Sequence, residues 1–170
     1  YGTNKRDAIV ELVKSVNSSV SDGQGGHLKL CDGIGMQSYI GGYGQQSGCM
    51  NDNDITAVKN AIEKFASIGV EVHVTELAVR NYERSDEREA EHGAFYKKLM
   101  QTYVDINKEA KAKGETGPIT SLSIWGLFDA PYLAETDYSY KMNGPYCGLF
   151  TELYQPKEAF KEVYKVLSGE

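Results

Sequence analysis

Hydrophobic positions fall into two rhythms that alternate along the chain. Over residues 4–20, Ile9, Leu12, Val13, Val16 and Val20 recur at spacings of three and four, which predicts a helix with one apolar face. Lys5, Arg6, Glu11 and Lys14 fall on its remaining, solvated faces. The same spacing returns in Val58, Ile62, Phe65 and Ala66 over about 54–68, and in Phe95, Leu99, Tyr103, Ile106 and Ala110 over about 86–113. It returns once more in Ala159, Phe160, Val163, Tyr164 and Leu167 after Pro156. Asn51, Asp52, Asn53 and Ser85 are placed to cap helices, and Gly69 and Gly114 to end them. Between the helices lie three short segments with the two-residue rhythm of strands: Cys31 to Ile40, Val70 to Ala78, and Ile119 to Leu127. The order is helix, strand, helix, strand, helix, strand, loop, helix. Strands that alternate with helices predict an α/β fold with a parallel sheet and right-handed crossovers.

The middle strand ends in an anomaly. Alternation puts Val70, Val72, Val74 and Glu76 on one face, so a carboxylate follows three branched apolar residues at the strand's end. Such a Glu is unfavourable unless it emerges into a polar cleft, and in parallel α/β proteins clefts lie at the carboxyl ends of strands. Capping a helix or pairing with a surface cation are the alternatives for Glu76. One neighbouring strand carries Gln37 and Tyr39 near its end, and the other carries the chain's single tryptophan, Trp125, at its end, so that in a parallel barrel they converge with Glu76 on one rim. An amide, a phenol, a carboxylate and an indole suit a sugar: the indole offers a flat apolar face, the amide and phenol bond hydroxyls, and the carboxylate acts at an anomeric carbon. Tyr and Gly crowd into two loops, one around Tyr43 and one running from Asp129 through Tyr132 to Tyr154. A loop as long as the second is usually functional, and Tyr43 and Tyr132 are added as candidate sugar contacts. The Gly-rich loop around Tyr43 lacks the Lys and the spacing of a phosphate-binding loop.

Composition narrows the classes. A chain of 170 residues fits one domain, and 41% hydrophobic with 25% charged residues describes a soluble globular protein. A net charge of −6 without a dense basic patch argues against nucleic acid, and no apolar run approaches membrane-spanning length. The chain opens Tyr1-Gly2-Thr3-Asn4, without the pattern of a signal peptide. The three His and three Cys show no metal-ligand spacing, so neither a metal nor another cofactor is expected. Cys49 and Cys147 both fall in the loops of the presumed rim, which leaves a disulfide between them open.

Four motifs carry a resemblance. Asp32-Gly33-Ile34-Gly35-Met36-Gln37-Ser38, Val74-Thr75-Glu76-Leu77, Ile124-Trp125-Gly126 and Tyr154-Gln155-Pro156-Lys157 resemble, in order and spacing, those of glycoside hydrolase family 10, the retaining endo-β-1,4-xylanases. The resemblance covers essentially the whole chain. It implies that residues 1–170 are the carboxyl-terminal portion of a single (β/α)8 TIM-barrel catalytic domain, with strands six to eight. It implies Glu76 as the nucleophile, and Gln37 and Trp125 as lining the sugar subsite beside the cleaved bond. Xylan or xylo-oligosaccharides become the expected ligand, and an extracellular location is implied with them.

Departures from the family pattern are specific. Tyr39 stands where the family usually has His, and Ala78 where it has Asp two residues after the nucleophile. A phenol can still donate to Glu76, and its neutrality removes the need for a second anion, so the paired change reads as a rewired site. Leu133 replaces a second Trp eight residues after Trp125, with Tyr132 adjacent. Retaining hydrolysis also needs a second carboxylate about 5–5.5 Å from the nucleophile. The family's Trp-x-x-x-Asn-Glu motif for that acid is absent here; Glu71 is at the wrong end of its strand, which leaves Asp129 and Asp137. The expectation is half an active site, completed by the amino-terminal half of the barrel as a separate chain or segment. Two other readings stay open: a catalytically inactive carbohydrate-binding remnant, and an ordinary α/β domain whose Glu76 is structural.

Overall fold

One strand with a partner along each edge organises the molecule, a computed structural model that describes residues 2–41 and 50–170. The elements are α1 (Thr3–Asn17), β1 (Gly33–Met36), β2 (Tyr39–Ile40), α2 (Asp52–Ala66), β3 (Glu71–Val79), α3 (Asp86–Ala112), β4 (Ile119–Ile124), a 3-10 turn (Pro131–Leu133), α4 (Tyr138–Asn143) and α5 (Glu158–Ser168). Along one edge of β3 run β1, from Gly33 opposite Glu71 to Met36 opposite Val74, and β2, with Tyr39 opposite Ala78. Along the other edge runs β4, from Ile119 opposite Val72 to Ile124 opposite Leu77. Every one of these pairings is parallel.

The expected first strand is therefore present but broken. Ser38 adopts a φ of 68°, outside the extended region, and divides it into β1 and β2. The first helix ends at Asn17, three residues short of Val20. The Asn17 side chain accepts from the amides of Leu30 and Cys31 and donates to the Cys31 carbonyl, tying the helix end to the approach of β1. Asn51 and Ser85 cap α2 and α3 through their side chains, as expected.

Alternation sorts the sheet into two unlike faces. Ile34, Met36, Val72 and Val74 are buried with Val58, Ile62 and Phe65 of α2 and Phe95, Leu99 and Ile106 of α3. Each such side chain contributes roughly 1.5–3 kcal/mol on burial. Gly33, Gly35, Gln37, Glu71, His73, Ser121 and Ser123 are exposed. Parallel sheets are ordinarily covered on both faces; here the helices cover one, and the other is polar and open. No described helix is long and apolar enough to cross a membrane.

Helix α3 holds the carboxyl end of β3 in place. His92 Nε2 donates to the Val79 carbonyl at 3.0 Å, and the Val79 amide donates to the Tyr96 hydroxyl at 3.4 Å. The two rings meet edge to face at 5.1 Å. Gly93 between them lets α5 approach, since a Cβ there would lie 2.9 Å from Glu158 Cβ. Burial, reinforced by the nearby Lys157 charge, pushes the His92 pKa from 6.5 down to about 3. The unfolded chain gains this proton below about pH 6.5 while the folded one refuses it until about 3, so stability is full above 6.5 and falls toward pH 3. Stability measured by urea unfolding across that window should decline by roughly 4–5 kcal/mol. The decline should be shallower in His92→Gln, whose amide can still donate to Val79; equal slopes for both proteins would contradict this assignment.

Candidate active site

Three strand tips meet through backbone hydrogen bonds. The Glu76 amide donates to the Gln37 carbonyl at 3.1 Å, and the Trp125 amide donates to the Leu77 carbonyl at 2.9 Å. Gln37, Glu76 and Trp125 thus stand at the carboxyl ends of three adjacent parallel segments. Strict alternation, however, fails at this point. Val74 pairs with Leu122 and Leu77 with Ile124, so three steps along β3 match two along β4. A bulge of this kind re-aims a side chain at the sheet's end. Glu76 is half-buried, while Leu77, Ala78 and Val79 are all fully buried, so it does not simply continue the stripe of Val70, Val72 and Val74.

Glu76 has a partner. The Tyr39 hydroxyl donates to its Oε2. Burial first, and the bond to Glu76 second, push the Tyr39 pKa up to about 12, so the phenol keeps its proton at neutral pH. Ala78 pairs with Tyr39 across the ladder and is fully buried, so no second anion stands there. Arg80, just beyond, is buried and donates to the Gly41 carbonyl at 2.5 Å and the Met142 carbonyl at 3.2 Å. Gln37 is exposed. Trp125 is 42% exposed, and its indole Nε1 donates to Ser139 Oγ at 3.0 Å. Tyr132 is exposed on the 3-10 turn. Tyr43 lies outside the described residues, as does Cys49. Cys147 is a free, buried thiol whose pKa burial pushes up to about 12, packed with Ala130 and Tyr140; its pairing with Cys49 falls outside the described residues.

The long loop after β4 is more ordered than its sequence indicates. Asp137 caps α4 by accepting from the amides of Ser139 and Tyr140. Two fasteners hold the loop over the strand tips. At its base, Lys157 donates to both oxygens of Asp129 at 2.9 Å and to the Tyr146 carbonyl at 2.9 Å, and pairs with Glu89 at 3.2 Å. At its far side, the Asn81 amide donates to the Asn143 carbonyl at 2.9 Å, and the Tyr82 hydroxyl to the Met142 carbonyl. Gly144 permits this contact: its φ is 89°, and a Cβ there would lie 2.0 Å from the Asn81 carbonyl oxygen.

The other carboxylates named from the sequence have partners of their own. Asp129 is buried and locked to Lys157, Asp137 is committed to its cap, and Glu71 bonds Thr120 at the opposite end of β3. Among the described residues no group of three or more His, Cys, Asp or Glu could hold a metal ion. Sequence reasoning did not find Ser139, Arg80 or the Asp129–Lys157 pair. Only the Asp137-Tyr138-Ser139 capping pattern was there to be read.

Residues 1–166 match the profile of "Glycosyl hydrolase family 10". The chain belongs to this family. It is 32% identical over 142 residues to endo-1,4-beta-xylanase B of Butyrivibrio fibrisolvens, covering 81% of this chain and 19% of that protein. Among solved structures, a thermostable mutant of xylanase Xyn10A from Cellvibrio japonicus superposes with a TM-score of 0.68 at 21% identity, covering 98% of this chain and 46% of that one. The Thermobacillus composti family 10 xylanase superposes with a TM-score of 0.64 at 29% identity, covering 96% and 48%. The chain spans less than half the length of each of these proteins. Its fold is accordingly part of a (β/α)8 TIM barrel, in which the open polar face of the sheet has the position of a barrel interior.

Within this family frame, Lys157 belongs to the Tyr154-Gln155-Pro156-Lys157 motif and has an internal task. Removing one partner of a buried pair leaves the other charge uncompensated, at about 3–5 kcal/mol. Lys157→Met should therefore lower stability by roughly that amount, while adding Asp129→Leu should recover part of it. Urea denaturation of both variants checks this, and strictly additive losses would contradict the pairing.

Proposed function

We propose that Glu76 is the nucleophile of a retaining endo-β-1,4-xylanase and that this chain supplies the nucleophile half of the site. The observation that carries the reading is a carboxylate at the end of the central strand, bonded by a neutral phenol and flanked by an amide-bearing and an indole-bearing strand tip. Tyr39 fixes the carboxylate through Oε2, and Oε1 is the oxygen presented to the anomeric carbon. Attack forms a glycosyl ester at Glu76 as the bond to the leaving sugar breaks. An acid from outside this chain protonates the leaving oxygen, and the same group then draws a proton from the water that releases the sugar with retained configuration. Trp125 offers its exposed indole face to the pyranose, and Gln37, Tyr132 and Tyr43 bond its hydroxyls. Relatives named as endo-1,4-beta-xylanases support xylan as the substrate. The open sheet face supports an amino-terminal half barrel, contributed by another segment or chain, as the structural partner. A polymeric substrate of this size carries an extracellular location with it.

Dinitrophenyl 2-deoxy-2-fluoro-β-xylobioside separates this reading from a non-catalytic remnant. Its leaving group departs without acid assistance, and the fluorine slows hydrolysis of the ester, so the nucleophile is trapped even where the acid is lacking. Mass spectrometry should find one adduct, on Glu76, and none in Glu76→Gln. Absence of any adduct, or one on another residue, would contradict the assignment.

A further inference from the structure

We propose that Tyr138 and Ser139 of α4 form a second carbohydrate-contact surface beside Trp125, which takes the next pyranose ring of a β-linked oligosaccharide. This rests on the reading of Trp125 and Glu76 as a sugar site. It adds a contact that none of the four family motifs contains.

Three observations converge on it. First, the indole nitrogen of Trp125 is already satisfied by Ser139 Oγ at 3.0 Å. The indole therefore meets a ligand through its face, and α4 sets the tilt of that face. Second, Tyr138 is 76% exposed, the most exposed of the large apolar and aromatic side chains described. An aromatic ring presented to water at a rim, with a hydroxyl at its tip, is suited to the apolar face and the hydroxyl edge of a sugar together. Tyr138 directly precedes Ser139, the residue that Trp125 bonds, so the two lie on the same first turn of α4. Third, the element that carries it is fastened. Asp137 caps α4 at one end, and Arg80, Asn81 and Tyr82 hold Met142 and Asn143 at the other. A ring on a fixed support loses little freedom on binding.

The surface also accounts for Leu133. That residue packs inward against the cluster of Ala130, Tyr140 and Cys147. Leu133 therefore offers no stacking face, and Tyr138 supplies one from the next turn of the loop.

Trp125 is the only tryptophan, so its emission reports this site without ambiguity. Xylotetraose titrated into the 170-residue chain should shift that emission. Tyr138→Ala should raise the half-saturating concentration about ten-fold, while Tyr138→Phe, which keeps the ring, should stay within about two-fold of the parent. Ser139→Ala should change the emission maximum before any sugar is added, because the indole nitrogen loses its acceptor. Equal affinity of Tyr138→Ala and the parent overturns the proposal and leaves the xylan reading standing. Equal weakening in Tyr138→Phe and Tyr138→Ala also overturns it, since the ring would then not be the contact. No response from the parent chain removes the xylan reading, and the proposal with it.

Discussion

Two hydrogen bonds across the end of β3 set the geometry on which everything else depends. One runs from the Glu76 amide to the Gln37 carbonyl, the other from the Trp125 amide to the Leu77 carbonyl. Adjacent strands in a sheet lie about 4.8 Å apart, so these bonds fix the spacing of three side chains that no local sequence connects. Register in such a sheet is held by burial, because a slip of one residue would turn Val72 and Val74 toward the open face. The core thus determines where the polar groups stand. Val79, at the last position of β3, is gripped on both its amide and its carbonyl by Tyr96 and His92.

Regular strands alone do not make the site. Ser38 breaks the first strand, and the extra residue of β3 breaks the alternation at Glu76. Both irregularities lie at the same level of the sheet, where Tyr39 reaches Glu76. The loop after β4 then closes in from above, held by a buried ion pair at its base and backbone contacts at its far side. A buried pair such as Asp129 and Lys157 gains little net stability over an apolar one. Its effect is to hold three segments, around Glu89, Asp129 and Tyr146, in one arrangement.

Much of this was legible in the sequence, and the remainder was not for identifiable reasons. The four long helices and three strand regions follow from apolar spacing, because each runs long enough for its period to show. The Asn51 and Ser85 caps follow from residue type. The exchange of His and Asp for Tyr39 and Ala78 pointed to a neutral donor for Glu76, and that hydrogen bond is present. The six residues of α4 span fewer than two turns, so their periodicity is invisible, and Ser139 with them. The extension of α1 to Val20 failed where the Asn17 side chain turns to the backbone of Leu30 and Cys31, on the approach to β1. Asp129 and Asp137 looked like free carboxylates, since their partners, Lys157 and the α4 amides, appear only in three dimensions. The bulge at Glu76 arises from pairing with β4 and leaves no mark in a single strand.

The most direct test of the central claim, that one sheet end gathers a carboxylate, an amide and an indole around a sugar, is a crystal structure of the protein with xylobiose. The account predicts a xylose ring on the face of Trp125, with a hydroxyl bonded to Gln37 and its anomeric carbon facing Glu76. A sugar bound away from these three residues, or their side chains turned to different sides of the sheet, would contradict it.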